Sequence, residues 1–492
     1  MKLAMANIRK HIHTLRQRKK TVIVSLVLIF EVLGILSAMH AVMNVRTPQG
    51  SIAWAVSLVI VPVVSVPAYW VFGRDRFKGY VVARRADDER LDELWRRARQ
   101  GVEQLVAETD WQNAAIRGTE NLARLPFTGG NEVELLVDGE ATFQSIFAGI
   151  DSAQDYVLVQ FYIVHGDDLG NELKSRLIDA ASRGVQVYFL YDEIGSLGLE
   201  KSYIDELRRS GVAILPFHSR KGSGNRFQLN FRNHRKTVVV DGREAWIGGH
   251  NVGDEDMGRD STIGRWRDTH MRLAGPAALG AQIAFVEDWR WAADETLYEL
   301  NWEPAPAPGG NAQSLVIASG PADEVDTASL MYTQAINAAA RRIWIASPYF
   351  VPDDAIVQSL QLAALRGVDV RILIPEKSDS ALVTLAGYSF FDEVGSTGVS
   401  FYRYQDGFLH GKFMLVDDSV ATVGTANFDN RSFRLNFEIT AVVVDQEFAG
   451  AVKTMFEEDF SKSRRMEAGE FDEKNYLFRV AARVARLASP VL

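Results

Sequence analysis

The sequence predicts an α/β protein whose body consists of two similar halves that follow a pair of membrane-spanning helices. Three observations lead to this prediction: two long apolar runs near the N-terminus, a strand–helix–strand pattern that occurs twice, and a histidine motif that follows each occurrence. Because a strand–helix–strand unit normally places its strands side by side and parallel, each half is expected to contain a parallel pair. A length of 492 residues is enough for two or three ordinary domains.

The apolar runs predict a membrane hairpin. Thr21–Val45 contains few polar residues and Ser51–Phe72 contains no charged residue, and each exceeds the ~20 residues that cross a ~30 Å hydrocarbon core. The short connection Arg46–Ser51 allows only a tight turn. The first run is too long for a typical signal peptide, and the second follows at once, so cleavage is disfavoured. Glu31 lies in the first span and is interpreted as a protonated or snorkelling carboxyl, although an ionisable residue there is also a functional candidate.

Basic residues predict the orientation of the hairpin. They are concentrated before the first run and after the second, whereas the connection contains only Arg46. By the positive-inside rule, both ends of the hairpin and the catalytic body are expected to be cytoplasmic. The basic residues concerned are Lys2, Arg9, Lys10, Arg16, Arg18, Lys19 and Lys20 before the first run, and Arg74, Arg76, Lys78, Arg84 and Arg85 after the second.

Composition excludes several classes of function. The chain has no cysteine, which removes disulfides, thiolate metal sites, iron–sulfur clusters and cysteine nucleophiles. A net charge of −9 argues against a protein that coats nucleic acid. We find no carboxylate cluster with metal-ligand spacing, so no metal and no cofactor are expected.

The body repeats one pattern. In both copies an apolar strand precedes a helix, an Arg-Gly-Val triplet and a second strand, and glycine favours the left-handed conformation that ends a helix. The predicted elements are Tyr156–Val164, Asn171–Ser182 and Gln186–Asp192 in the first copy, and Arg342–Val351, Ile356–Leu365 and Asp369–Ile374 in the second.

Together these patterns predict seven segments. They are a basic cytoplasmic tail (1–20), two transmembrane helices (21–75), a connecting helical segment (76–125), a first half (126–300), a Pro/Gly linker (301–312), a second half (313–470) and a C-terminal amphipathic helix (471–492).

The chemistry is expected at the same point of both halves. Each half contains His-x-Lys-x4-Asp and, at an identical offset, Gly-x-x-Asn. On a strand, His and Lys two residues apart project from the same face, as a shared anionic substrate requires. Two copies at equivalent positions are a strong signal, whereas His11, His13, His165 and His218 lack the motif and are interpreted as ordinary core or surface residues. The motif residues are His234, Lys236, Asp241 and Asn251 in the first half, and His410, Lys412, Asp417 and Asn427 in the second.

The paired motifs resemble those of the phospholipase D superfamily. Together with the N-terminal hairpin and segments 230–236 and 424–432, they make the chain similar to bacterial cardiolipin synthases over nearly its whole length. The resemblance implies two phospholipase D-type α/β/α sandwich halves with mixed sheets that form one catalytic body in the bacterial inner membrane. It also implies phosphatidyl transfer between two phosphatidylglycerols, through a phosphatidyl-histidine, to give cardiolipin and glycerol. Gly249 stands where that superfamily often has Ser, which predicts the loss of one hydroxyl hydrogen bond to the phosphate.

The residue types fit phosphodiester chemistry. Lysine and asparagine side chains can donate to the non-bridging oxygens, while one imidazole attacks phosphorus and the other transfers a proton. Each imidazole needs a carboxylate on its far nitrogen, and the candidates are Asp268 for His234 and Glu438 for His410, 34 and 28 residues downstream. The family resemblance supports both carboxylates and assigns the covalent intermediate to His234. The motif residues Asp241 and Asp417 are then expected to brace the strand end and the lysine.

Alternatives remain open at this point. A phospholipase D-type transphosphatidylase with another donor or acceptor, such as phosphatidylethanolamine or serine, or a hydrolase that uses water, would keep the same site. Two spans and an acidic body disfavour a nuclease, and two complete motifs disfavour a non-catalytic scaffold. Phosphatidylglycerol and anionic membrane lipid are the expected partners, and the oligomeric state, a homo-oligomer included, is open. Arg479, Arg483 and Arg486 of the last helix either rest on anionic headgroups or belong to an ordinary packed helix.

Overall fold

The computed structural model describes residues 2–45, 47–73, 77, 80, 88–107, 113–217, 230–260, 264–467 and 469–492. The chain forms two compact units, which are described separately: residues 1–79 with 220–230, and residues 80–219 with 231–492. Some residues named above lie outside the described ranges, namely Arg46, Arg74, Arg76, Lys78, Arg84, Arg85 and His218.

Three helices are found among the residues of the N-terminal unit that the structure describes. Helix α1 spans Lys2–Asn44, and α2 and α3 follow at Pro48–Ile60 and Pro62–Phe72. Among the described residues, one helical segment is long and apolar enough to cross a membrane: Gln17–Asn44, whose most apolar 18-residue stretch has a mean hydropathy of 2.6. The predicted first span is therefore present as a helix of sufficient length, and Glu31 is exposed on it.

The second predicted span is present as two shorter apolar helices, α2 and α3. The apolar run Ser51–Phe72 breaks at Val61, whose backbone leaves the helical region (φ −132°, ψ 59°). Pro62 causes the break, because proline has no N–H to donate and disfavours the helical conformation of the residue before it. The two short helices fold back on each other, so that the rings of Trp54 and Tyr69 lie 5.3 Å apart between centroids. The run is a helical hairpin of its own.

Polar contacts hold α3 beside α1. His40 Nδ1 lies 2.7 Å from the hydroxyl of Tyr69, and Trp70 Nε1 donates to Ser37 Oγ at 3.1 Å. Because both contacts join the last turns of α1 to the last turn of α3, these two helix ends lie on the same side of the unit.

The second unit is an α/β body in which helices pack on a large sheet. Its helices are α4 (Asp88–Val102), α5 (Asn113–Ala123), α6 (Asp138–Ser152), α7 (Asp168–Ser182), α8 (Lys201–Arg209), α9 (Ala278–Ala293), α10 (Thr327–Ala338), α11 (Asp354–Leu365), α12 (Ala381–Gly395), α13 (Asn430–Arg434), α14 (Gln446–Ser461) and α15 (Tyr476–Arg486). The strands of the first half are β1 (Thr128–Val137), β2 (Tyr156–Phe161), β3 (Gln186–Asp192), β4 (Ala213–Phe217), β5 (Arg232–Asn233), β6 (Thr237–Val240), β7 (Glu244–Gly248), β8 (Trp266–Arg267) and β9 (Thr269–Ala274). Those of the second half are β10 (Ala312–Ser319), β11 (Arg342–Ala346), β12 (Phe350–Val351), β13 (Asp369–Pro375), β14 (Ser400–Tyr404), β15 (Phe408–Leu409), β16 (Phe413–Val416), β17 (Val420–Gly424), β18 (Phe428–Asp429), β19 (Asn436–Val444) and β20 (Ser463–Arg465).

The two halves have the same strand order. It is β1-β9-β7-β6-β2-β3-β4 in the first half and β10-β19-β17-β16-β11-β13-β14 in the second, with β20 at the far edge. The antiparallel pair β1–β10 joins the halves, so an approximate twofold axis relates them. In each half the βαβ strands pair in parallel, β2 with β3 and β11 with β13, while the central strands are antiparallel. The predicted pair of mixed-sheet halves is confirmed.

Successive side chains of β2 lie in different cores, as in a sheet with helices on both faces. Val157 and Val159 belong to a core shared with helices α6, α7 and α8, whereas Leu158 belongs to the core on the other face, with residues of α9. Side chains of a strand point alternately to the two faces of its sheet, so both faces are covered.

The flanking helices belong to the body. Leu94, Ala98 and Val102 of α4 are buried in the core cluster that contains residues of both halves, so the segment predicted as a connector contributes to packing. Helix α15 buries Ala482 and Ala485 and leaves a stripe of larger apolar residues exposed. That stripe consists of Leu477, Val480, Val484 and Leu487.

Candidate active site

The two motif histidines occupy equivalent places. His234 lies between β5 and β6, and His410 lies between β15 and β16. Both are buried, and the lysine two residues later turns back in each case to donate from Nζ to the carbonyl of its own histidine, at 2.9 Å for Lys236. The charge of Lys412 affects the pKa of His234, and that of Lys236 affects the pKa of His410, so all four side chains belong to one site.

The histidine–carboxylate pairs cross between the halves. His234 Nδ1 lies 2.9 Å from Glu438 Oε2, and His410 Nδ1 lies 2.6 Å from Asp268 Oδ2. The predicted carboxylates are therefore both at the site, but the predicted pairing within each half, His234 with Asp268 and His410 with Glu438, is wrong. Since each carboxylate holds Nδ1, it is Nε2 of each imidazole that is directed away from the carboxylate and is available for chemistry.

Short parallel strands cause the exchange. Strand β5, just before His234, pairs with the beginning of β19, and the backbone N–H of His234 donates to the carbonyl of Phe437 at 2.9 Å. Strand β15, just before His410, pairs with β8, and the backbone N–H of His410 donates to the carbonyl of Arg267 at 2.7 Å. Phe437 and Arg267 each precede the pairing carboxylate by one residue, so the backbone register places each histidine beside the acid of the other half.

The two carboxylates have different surroundings. Glu438 also accepts hydrogen bonds from the hydroxyl of Thr425, at 2.6 Å, and from the side-chain amide of Asn436, at 3.1 Å. Asp268 accepts from the backbone N–H of Thr269 at 2.7 Å, and the ammonium of Lys412 lies 3.9 Å from it. A carboxylate fixed by several donors holds its imidazole in one tautomer and one orientation.

Gly249 has a steric role. A Cβ at this position would lie 2.0 Å from Asp268 Oδ1, so the carboxylate occupies the space that a side chain would need. The equivalent residue of the second half is Thr425, whose hydroxyl donates a hydrogen bond to Glu438. Glycine at this position makes room for Asp268, and the cost of one hydroxyl hydrogen bond to the phosphate stays a prediction.

Burial and charge shift the pKa values of the site. Burial lowers the pKa of His234 to about 4 and that of His410 to about 3. Burial likewise lowers the pKa of Lys236 to about 7 and that of Lys412 to about 8. A phosphodiester anion bound among these groups would favour their charged forms and raise all four pKa values.

The carboxylates remain ionised despite their burial. Although burial acts in the opposite direction, the charge of Lys412 holds the pKa of Asp268 well below its usual range. In the same way the interaction with His234 outweighs burial and lowers the pKa of Glu438. The site thus pairs neutral imidazoles with negative carboxylates.

The motif aspartates lie away from this cluster. Asp241 follows β6 and accepts hydrogen bonds from the backbone N–H groups of Asp155 and Tyr156, both at 2.8 Å, where β2 begins. Asp417 follows β16 and accepts from the backbone of Arg341 and Arg342 in the same way. A four-residue strand separates each aspartate from its lysine, so the two residues are roughly 16 Å apart along the chain. Their part is to hold strand ends; we observe no bracing of the lysines.

The motif asparagines end equivalent turns. The backbone N–H of Asn251 donates to Asp256 Oδ1 at 2.8 Å, and that of Asn427 donates to Ser432 Oγ at 3.0 Å. Both side chains are buried, and Asn251 Oδ1 accepts weakly from the backbone N–H of Ile163 at 3.3 Å.

Two buried ion pairs support the site and were not predicted. Arg235 pairs with Asp288 at 2.8 Å and donates from Nε to the carbonyl of Glu438 at 3.1 Å. Arg267, whose carbonyl accepts from His410, pairs with Asp459 at 2.9 Å. Arg235 occupies the variable position of the His-x-Lys motif, so the motif itself does not predict its ion pair. The only signal in the sequence is that this position holds a charged residue.

One group at the site has the composition of a metal centre. Donor atoms of Asp256, Asp268 and His410 lie within 4.8 Å of one another. His410 Nδ1 is already in a hydrogen bond with Asp268, and the ammonium of Lys412 lies beside the same carboxylate. His410 and Asp268 are therefore a hydrogen-bonded pair with a cation beside it, while Asp256 accepts from the backbone N–H of Asn251.

Comparison with known proteins identifies the family. Residues 146–262 and 332–460 match a family model described as "Cardiolipin synthase, PLD-like domain", and residues 23–74 match one described as "Phospholipase_D-nuclease N-terminal". Cardiolipin synthase A of Pseudomonas entomophila (strain L48) is 47% identical over 467 residues, which cover 94% of this chain and 97% of the relative. Cardiolipin synthase A of Pseudomonas fluorescens (strain Pf-5) is 45% identical over 473 residues, which cover 95% of this chain and 98% of the relative.

A solved structure has the same fold. Phosphatidylserine synthase of Haemophilus influenzae Rd KW20 superposes with a TM-score of 0.59 at 14% identity, covering 77% of this chain and 100% of that one. At this identity the likeness concerns the fold alone. The sequence relatives, the matched domains and the duplicated body agree, and the chain belongs to the cardiolipin synthase family of phospholipase D-like enzymes.

Proposed function

We propose that the protein transfers a phosphatidyl group from one phosphatidylglycerol to another, giving cardiolipin and glycerol, through a phosphatidyl-histidine on His234. The observation that carries this proposal is the crossed arrangement, in which two imidazoles with fixed Nδ1 atoms share one site with two lysines. Transfer through a covalent intermediate needs a nucleophile and a separate proton carrier, and the two imidazoles supply both.

Binding of the donor neutralises a crowded cationic site. Lys236 and Lys412 are buried, and each is held by the carbonyl of its own histidine. The non-bridging oxygens of a phosphodiester can accept from these ammonium groups, with the amides of Asn251 and Asn427 as further donors. Because charge on these oxygens grows during attack, preorganised donors stabilise the transition state more than the bound substrate.

In the first step Nε2 of His234 attacks phosphorus. Its imidazole is neutral because burial lowers its pKa, and Glu438 stabilises the positive charge that develops on the ring. The P–O bond to the glycerol headgroup breaks as the P–N bond forms, and His410 gives its proton to the departing alkoxide. His410 can hold that proton once the bound phosphodiester raises its pKa, and Asp268 stabilises the imidazolium.

The second step is the reverse with a different alcohol. His410, now neutral, accepts the proton of the acceptor hydroxyl as its oxygen attacks phosphorus. The P–N bond breaks and its electron pair returns to Nε2 of His234. If the acceptor is the glycerol of a second phosphatidylglycerol, the product is cardiolipin.

The decisive experiment uses purified protein and phosphatidylglycerol alone. We expect cardiolipin and free glycerol in equal amounts, because the same lipid serves as donor and acceptor. Release of phosphatidic acid without cardiolipin would indicate a hydrolase, and product formation only after addition of another alcohol would indicate a different transphosphatidylase. The rate should be unaffected by a chelator, with lipid aggregation by residual divalent ions controlled by light scattering.

The protein associates with the membrane through α1, and we propose that the body is cytoplasmic and the protein multi-pass. The basic residues before and after the apolar region support this orientation. It requires α2 and α3, together 24 residues or roughly 36 Å of helix, to open into one tilted span in the bilayer. If the hairpin of α2 and α3 persists instead, residue 49 and the body lie on the same side of the membrane.

Single cysteines distinguish these topologies, since the chain has none of its own. Gln49→Cys and Leu365→Cys place one thiol at the exposed beginning of α2 and one on an exposed position of the body. A membrane-impermeant maleimide should label Gln49→Cys in intact cells and Leu365→Cys only after lysis. Equal labelling of both variants in intact cells, or of neither, contradicts the multi-pass arrangement.

A further inference from the structure

A buried aspartate is bonded to both residues that flank His234. Asp288 lies in α9 and is fully buried. Its Oδ2 accepts hydrogen bonds from the side-chain amide of Asn233 and from the guanidinium of Arg235, both at 2.8 Å. These two residues stand immediately before and after His234, so one carboxylate oxygen holds the chain on both sides of the histidine.

Further donors fix this carboxylate. The amide of Gln160, on β2, donates to the same Oδ2 at 2.7 Å, and the hydroxyl of Tyr80 donates to Oδ1 at 3.1 Å. The ring of Tyr80 packs on that of Phe437 with 4.9 Å between the centroids, and the carbonyl of Phe437 accepts from the backbone N–H of His234. Asp288 therefore cannot turn away without breaking several buried hydrogen bonds, each of which is costly to leave unmade.

The two residues bonded to Asp288 reach different parts of the catalytic pair. Asn233 Oδ1 accepts from the backbone N–H of Arg235 at 3.2 Å, which closes the turn around His234. Arg235 Nε donates to the carbonyl of Glu438 at 3.1 Å. Asp288 is thus connected to His234 through its chain neighbours and to the carboxylate partner of His234 through the arginine.

Asp288 has a counterpart in the second half. Helices α9 and α14 follow the equivalent strands β9 and β19. Each helix carries the sequence Glu-Asp-aromatic towards its end, at 287–289 and at 458–460. This makes Asp459 the counterpart of Asp288, and it is also fully buried.

The counterpart does not hold the neighbours of its histidine. His410 is flanked by Leu409 and Gly411, which offer no side-chain hydrogen-bond donor. Asp459 pairs instead with Arg267 at 2.9 Å, and the backbone carbonyl of Arg267 accepts from the backbone N–H of His410. Asp459 thus reaches His410 through one backbone contact, whereas Asp288 is bonded to the side chains on both sides of His234.

The two imidazoles have different requirements in the reaction, and this step rests on the proposed function. Nε2 of the nucleophile must stay on the line of attack at phosphorus, because a misplacement of about 1 Å can cost about 10²-fold in rate. A proton carrier needs hydrogen-bond reach, either directly or through one water. The more firmly held histidine, His234, is therefore the one suited to attack.

We propose that Asp288 is a positioning residue for His234 and acts through Asn233 and Arg235. It keeps Nε2 of His234 on the line of attack, beside Glu438, while the P–N bond forms. The P–O bond of the leaving group breaks in the same step, the electron pair leaves with its oxygen, and His410 supplies the proton that this oxygen takes up.

A burst experiment in the His410→Ala variant tests this proposal, because that variant retains the nucleophile and traps the lipid on it. With a saturating phosphatidyl p-nitrophenol donor, the burst amplitude counts the chains with an intact site, and the rate constant reports the attack itself. Asp288→Asn keeps the size of the side chain but turns an N–H group towards the donors of Asn233 and Arg235. We expect the rate constant to fall at least about tenfold while the amplitude stays near one nitrophenol per chain.

A second variant removes one contact and leaves no charge unpaired. Asn233→Leu gives the His234 loop the residue type that precedes His410, and it leaves the ion pair of Arg235 with Asp288 in place. The test therefore does not depend on the folding of Asp288→Asn. The rate constant should fall less than in Asp288→Asn, and the double variant should lose less than the product of the two single effects, since both residues belong to one network.

The matched control is the counterpart aspartate, which serves the other histidine. Asp459→Asn removes an equally buried ion pair and should slow transfer from phosphatidylglycerol in the otherwise native enzyme. In the His410→Ala background, however, its burst rate constant should stay within about threefold, because distant sites act independently.

Three outcomes overturn the positioning role. They are an unchanged rate constant in both Asp288→Asn and Asn233→Leu, a fall in amplitude alone, and an equal fall of the rate constant in Asp459→Asn. Failure of the proposed function itself is distinct, because His410→Ala without a further substitution would then release no burst.

Discussion

The two halves of the body agree in backbone and differ in the residues around their histidines. Both place a histidine after a short parallel strand, and both place a lysine two residues later. The first half has Gly249 where the second has Thr425, and Arg232 where the second has Phe408. The same backbone with different neighbouring side chains is what we expect for a reaction in which the two imidazoles have different roles. The repeat thus explains the shared site, and the departures from it indicate the roles.

The largest expected effect separates the two histidines. With phosphatidylglycerol, His234→Ala and His410→Ala should each lower transfer by at least about 10³-fold, since each imidazole has its own step. With a phosphatidyl p-nitrophenol donor, whose leaving group needs no proton, His410→Ala should still release a burst of nitrophenol. His234→Ala should release none.

Peptide mapping of the trapped lipid checks the assignment. A phosphatidyl group on His234 in the His410→Ala variant is the expected result. An adduct on residue 410 in the His234→Ala variant reverses the roles, and the absence of any adduct in both indicates direct displacement.

The crossed pairs predict which carboxylate variant resembles which histidine variant. Asp268→Asn should behave like His410→Ala and keep the nitrophenol burst, whereas Glu438→Gln should behave like His234→Ala and lose it. Each should lower transfer from phosphatidylglycerol by about 10²- to 10⁴-fold, because the amide no longer fixes or stabilises its imidazole. Pairing within each half requires the opposite assignment of the burst, so one stopped-flow experiment decides between the arrangements.

A serine at the position after the first glycine of Gly-x-x-Asn should lower activity more in the first half than in the second. In Gly249→Ser the new Cβ meets Asp268, 2.0 Å from Oδ1, so we expect a loss of about tenfold or more as His410 loses its aligned partner. The matched variant Thr425→Ser keeps a hydroxyl for Glu438 and should stay within about threefold of wild type. Equal effects of the two substitutions would contradict the steric role of Gly249.

The smallest effect concerns pH. Burial lowers the pKa of Lys236 to about 7 and that of Lys412 to about 8, and the charged forms bind the phosphodiester. Raising the pH through these values removes charge, so kcat/KM should fall on the alkaline side well below the ordinary lysine value of about 10.5. Lys236→Arg retains its charge and should move this limb to higher pH. A rate that stays constant up to pH 10 would contradict the lowered pKa values.

The local sequence pattern was sufficient to predict the strands, the helices and the site residues that occur in both halves. The strand Gln186–Asp192 and the helix that ends at Ser182 are where hydrophobic period and the following glycine place them. The predicted pairing of carboxylates with histidines was wrong, because counting residues from each histidine assumes that the two partners are close in the chain. The contact of β5 with β19 spans about two hundred residues, and a local pattern contains no information on it.

Other differences have equally specific causes. Pro62 divides the second apolar run into two helices, because proline has no N–H to donate and disfavours the helical conformation of Val61.

The crossed pairing also bears on how such a chain is made. A nascent polypeptide that has emerged only through residue 300 possesses His234 and Lys236 but not Glu438, which holds His234 Nδ1 in the complete body. It likewise possesses Asp268 but not the imidazole that this acid serves. Neither half alone would therefore have a complete histidine–carboxylate pair. We expect that a partly translated chain does not react with membrane lipids. Two separately expressed halves should regain activity only by docking along β1 and β10.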